Sequence, residues 1–226
     1  MPTMTDNSIL VQFANACKAN VHQKWGTFAS GQQRAQKLYD ITLLVLDICQ
    51  VPRPALQLDA SLGGASGLFE FSTWKLKIDP NGFGQLTVPD KDGFLTLVTL
   101  IYHEARHCEQ WFHMSRYAAV GHQMTAQKLA ASMFIPQNIA AMALARKMGL
   151  SDPMLALTKG WYESVYGSQS GFRGINLQGL MLRRTGGAQE MNAFRNGFHG
   201  RYKGNLPEEV DAWAIQDLVA AHYKYP

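Results

Sequence analysis

Downstream of Pro89, with Asp90 and Asp92 placed to cap a helix, apolar residues recur at helical spacing from Phe94 to about Tyr117. The pattern predicts one long helix, and a helix of that length is stable mainly through what packs against it, so the rest of the chain must be arranged around it. Two amphipathic helices are predicted before it. Ile9, Leu10, Phe13, Cys17 and Val21 fall three and four apart over 7–24 after a capping candidate at Asp6, and a helical pattern runs through Ala35, Leu38, Leu46 and Cys49 over 31–49. Pro52 and Pro54 end the second of these. Short alternating runs follow: Leu56 with Leu58, Leu68 to Phe71, then Trp74, Leu76 and Ile78 before Asp79-Pro80-Asn81-Gly82, which together predict a small antiparallel sheet.

Beyond the long helix, further helical runs are expected over about 122–149 and 153–166. Residues 167–205 are rich in glycine and predict loops with two short helices. Pro207 then opens a last helix to about His222, with Glu208 and Glu209 in its first turn, where the helix dipole favours them. The expected architecture is a single α+β, mainly helical domain over 1–226. Residues 1–117 supply the sheet and the long helix, and 118–226 form a helical part.

With 226 residues, 46% of them hydrophobic and 17% charged, the chain can bury a core and is too apolar for disorder. No stretch approaches a membrane-spanning length of about 18 apolar residues, and the richest, Ile41 to Ile48, is broken by Thr42 and Asp47. MPTMTDNSIL has neither the basic nor the apolar region of a secretory signal, so synthesis into the cytosol is expected. Cys17, Cys49 and Cys108 are widely spaced and read as reduced thiols rather than a disulfide framework or a cysteine zinc site. The net charge of +4 thickens at Arg183, Arg184, Arg195, Arg201 and Lys203 without any groove-reading signature, so nucleic acid is not an expected partner.

The chemistry lies inside the long helix, in Thr99-Leu-Ile-Tyr-His103-Glu104-Ala-Arg-His107-Cys-Glu-Gln110. At about 100° per residue, His103 and His107 differ by about 40° and project from one face a turn apart, as two imidazoles sharing a tetrahedral metal must. Glu104 stands about 100° away, beside such a metal rather than on it, which suits a general base. In a chain with seven histidines among 226 residues, this HExxH pattern arises by chance in roughly 0.7% of cases.

On those five residues, and on the order of sheet, motif helix and later helix, the chain resembles the zincin metallopeptidases. The resemblance implies a zincin-like fold with the sheet packed on the motif helix, Zn2+ as cofactor and a peptide or protein as substrate. It also implies a strand near the helix that binds an extended peptide edge to edge, for which Trp74 to Asp79 is the candidate. Zinc needs a third protein ligand if one position is to remain open. Leu206-Pro207-Glu208-Glu209-Val210-Asp211-Ala212 resembles the helix start that supplies this ligand in some gluzincin-like proteins, and Glu209 is the choice. Glu208, Glu163 and Glu190 compete, as does His113, which reproduces a metzincin spacing with Gln110 where glycine should let the chain leave the helix. Gln110 can instead line the site or orient a ligand, and Asp211 can accept the free ring N–H of a zinc histidine. For an oxyanion donor, Tyr202 is preferred to His199.

The implied reaction is metal-assisted amide hydrolysis with Glu104 taking a proton from water and passing it to the leaving amine. Two readings of other classes stay open: a zincin-like domain retained as a metal-binding or protein-interaction module, and a basic protein that binds an anionic surface. A signal-less zincin is compatible with a housekeeping peptidase. It is equally compatible with a toxin or effector exported by a specialised machine, in which case a cognate inhibitor or immunity protein is an expected partner.

Overall fold

A computed structural model of the chain describes residues 2–62, 65–85, 87–121, 123–167 and 206–223. Its elements are α1 (Asn7–Asn20), α2 (Gly31–Ile48), β1 (Ala55–Leu58), β2 (Gly67–Glu70), β3 (Lys75–Ile78), α3 (Lys91–Ala118), α4 (Ala126–Met133), α5 (Gln137–Ala145), α6 (Leu155–Tyr166) and α7 (Pro207–His222). Short 3-10 turns occupy His22–Thr27 and Pro80–Phe83. The molecule is mainly helical with one small sheet, an α+β arrangement. No helix among the described residues is long and apolar enough to cross a membrane.

The sheet is mixed rather than antiparallel. Its order is β1-β3-β2, with β2 antiparallel to β3 and β1 parallel to it. A tight turn over 71–74 folds β2 back onto β3, and β3 lies between β2 and β1. Trp74 belongs to that turn and not to a strand. Its φ of 55° is a left-handed conformation that a bulky residue rarely adopts, and it is held there by burial of the indole, whose Nε1 donates to the Pro52 carbonyl at 2.9 Å. β3, paired on both sides, has no free edge, so the run from Trp74 to Asp79 cannot take an added strand.

Among the described residues the predicted helices are present with four changes. α1 ends at Asn20 because Val21 turns out of helical geometry into the 3-10 segment. Asp6 occupies the N-cap position of α1 without capping it through its side chain, because Thr3 donates to its carboxylate from both N (3.1 Å) and Oγ1 (2.9 Å). The run over 122–149 is broken into α4 and α5 where Phe134 turns left-handed (φ 55°) ahead of Pro136. α3 starts earlier than its apolar pattern, because Asp90 Oδ1 accepts the Gly93 N–H at 2.8 Å and caps it. The loop-rich segment 168–205 lies outside the described residues.

The chain divides into two compact units, Met1–Phe112 with Ala214–Pro226, and His113–Trp213. In the first, α1 packs on α2, and the buried Arg34 guanidinium lies 4.8 Å from the Trp25 ring centroid and donates to the carbonyls of Trp25, Phe28 and Phe83. The end of α7 is fastened there by Tyr223, whose hydroxyl is 2.7 Å from His22 Nδ1, with His22 stacked on Phe94. Met4 is fully buried: its N–H donates to Glu109 at 3.1 Å, its carbonyl accepts from Tyr102 at 2.7 Å, and Glu109 is paired with Arg106. In the second unit Arg116 is the hub, donating to the Arg146 carbonyl (2.7 Å), to Asp152 (2.8 Å) and to His113 Nδ1 (2.9 Å).

α3 departs from an amphipathic helix in one respect. Every residue from Ile101 to Arg116 is buried, polar and apolar alike. A helix buried around its whole circumference is expected to be apolar all round, yet this one carries His103, Glu104, Arg106, His107, Glu109, Gln110 and His113 inside.

Candidate metal centre

α3 brings the two motif histidines together as the spacing predicts. His103 and His107 are 5% and 7% exposed, their rings stand edge to face at 4.8 Å between centroids, and their Nε2 atoms are 3.1 Å apart. Two nitrogen ligands of one tetrahedral zinc, each at about 2.0–2.1 Å, are separated by about 3.3 Å, so the pair already stands near that spacing. Gln110, a turn further along, has its Oε1 2.8 Å from His107 Nδ1. A carbonyl oxygen only accepts, which puts the His107 proton on Nδ1 and leaves a lone pair on Nε2, facing His103.

Glu104 is buried beside the pair and held from the sheet. Its Oε2 accepts the backbone N–H of Phe69 at 2.7 Å, from the outer edge of β2. The strand comes this close because position 67 has no side chain: a Cβ on Gly67 would stand 2.9 Å from Glu104 Cγ and 3.1 Å from Leu100 Cδ1. Neither Gly67 nor Phe69 is singled out by sequence reasoning. The only signal available was a glycine opening a strand, which equally marks an ordinary strand boundary.

Glu209 lies in the first turn of α7 and is 3% exposed. His103, His107 and Glu209 form a buried group whose ligand atoms all lie within 4.8 Å of one another, and this group can bind a metal ion. The rival ligands do not join it among the described residues. α3 continues through Gln110 to Ala118, so the chain never leaves the helix as a metzincin ligand at position 113 would require, and His113 Nδ1 accepts from Arg116 instead. Glu163 is exposed on α6, Glu208 is buried next to Glu209 but outside the group, and Asp211 is half-buried on α7. Tyr202, His199 and Glu190 lie outside the described residues.

None of the three buried thiols, Cys17, Cys49 and Cys108, belongs to this group. Burial pushes Cys17 and Cys108 well above the ordinary thiol range, and burial followed by the nearby Glu109 does the same to Cys49. No family model, curated protein or solved structure matches the chain.

Proposed function

We propose that the protein is a zinc-dependent metallopeptidase whose metal is held by His103, His107 and Glu209. The observation that carries the reading is the group itself: two convergent imidazoles and one carboxylate, a donor set that suits zinc and leaves a coordination position open. Zinc, when bound, supplies Lewis acidity that acidifies water and polarises a carbonyl. Glu104 is buried beside the histidines and outside the ligand group. Held in place by the Phe69 N–H at Oε2, the Glu104 carboxylate is the group to take a proton from the attacking water and return it to the leaving amine. Tyr202 is proposed as the oxyanion donor on sequence grounds.

One observation favours a second reading, a metal-binding or interaction module without turnover. The bond from Phe69 gives Glu104 a structural role that would retain it without any catalysis. Glu104→Gln separates the two, because glutamine keeps an acceptor for the Phe69 N–H and cannot act as a base. A metallopeptidase loses at least about a hundredfold in turnover against a peptide library with zinc content and thermal midpoint unchanged. A detectable wild-type activity that survives the substitution would sink the assignment.

Metal content comes first. Elemental analysis of purified wild type should give about one zinc per chain, lost in Glu209→Ala and kept in His113→Ala. Absence of metal from wild type after zinc is offered removes the proposal.

A further inference from the structure

We infer that Gln110 is a positioning residue that selects the metal-binding tautomer of His107 and, because it is an amide, holds the affinity of the centre below the value a carboxylate there would give. The inference rests on the metal centre proposed above. Gln110 is fully buried, so its amide is shielded from exchange with solvent partners, and it sits on the same unbroken helix as His107, which fixes their relation without a loop. Its Oε1 lies 2.8 Å from His107 Nδ1 and can only accept. His107 is thereby committed to Nδ1–H, and its Nε2 lone pair points at His103 Nε2, 3.1 Å away. A ring free to choose would spend part of its time with the proton on Nε2, where it blocks a metal.

Metal-bound histidines commonly pass the other ring N–H to a carboxylate, which raises the basicity of the ligand nitrogen. A neutral amide orients the ring equally well but pushes less charge onto it. Two consequences of opposite sign follow: deleting the amide weakens binding, and replacing it with glutamate strengthens it. A residue that merely fills space would lose with both changes, since glutamate adds a buried charge.

The experiment is zinc affinity by competition with a chromophoric chelator, using the full chain as wild type, Gln110→Ala and Gln110→Glu, with thermal midpoints recorded for the metal-free forms. The expected result is binding weakened about 10–100-fold in Gln110→Ala and equal or tighter in Gln110→Glu. Alanine within about twofold of wild type, or glutamate as weak as alanine, overturns the inference. If either variant does not fold, the tautomer of His107 in metal-free wild type decides by nitrogen NMR. A proton on Nδ1 supports the inference and a proton on Nε2 overturns it. Wild type that binds no zinc while its His107 carries the proton on Nδ1 removes the metal centre and leaves the Gln110 contact standing, so the two failures are distinguishable.

Discussion

Gly67 is the residue on which the geometry of the candidate base depends most. Its missing Cβ lets β2 approach until Phe69 N–H reaches Glu104, and an alanine there would press on Glu104 Cγ at 2.9 Å. Gly67→Ala should cost about 1–3 kcal/mol as overpacking. It should also displace the carboxylate, so that turnover falls while zinc stoichiometry stays at the wild-type value; paired chemical denaturation and elemental analysis read the two effects separately. His103, Glu104 and His107 were legible in the sequence because one helix sets their relation, and helix geometry is known in advance. Glu209 was legible only through the local pattern of its helix start. Gly67 and Phe69 were not, because the approach of a strand to a helix is a tertiary fact. Gln110 was nominated from its angle to His103 and proves to bond His107, since angle around a helix does not say which ring nitrogen a side chain will meet.

Among the elements, the helices follow their apolar spacing and end where proline or a cap requires, whereas the sheet shows what spacing leaves open. Alternation identifies β1, β2 and β3 but carries no information on direction, and β1 pairs parallel with β3 although β2 lies between them in sequence. α3 is misleading in another way. Its charged and polar residues resemble a solvated face in sequence, yet they are buried, each requiring partners that only the folded chain supplies. The end of α7 makes a pH-dependent contribution. Burial lowers the pKa of His22 below its ordinary value, with Lys18 adding to the effect. The unfolded chain therefore binds that proton more readily, and the stability contributed by neutral His22 is present above about pH 6.5 and is lost as the pH falls through that value. Between about pH 7 and 5 the thermal midpoint of wild type should fall more steeply than that of His22→Phe, which keeps the stacking on Phe94 but cannot titrate.

For the whole molecule, the end of the last helix is grouped in one compact unit with the N-terminal residues. Sequence order alone could not show that return. The proposed ligands come from parts of the chain far apart in sequence, so metal should stabilise the native state over the unfolded chain, which cannot assemble the group. At free zinc about a hundredfold above Kd the gain is about 2.7 kcal/mol, reversed by chelation and absent in Glu209→Ala; calorimetry with and without zinc measures it. A rise of equal size in the variant would place the zinc elsewhere.

The unbroken burial of α3 from Ile101 to Arg116 also makes the motif immunologically silent. An antibody raised against that linear peptide would find no exposed residue on the native protein, and its signal would report the fraction of chains that have come undone.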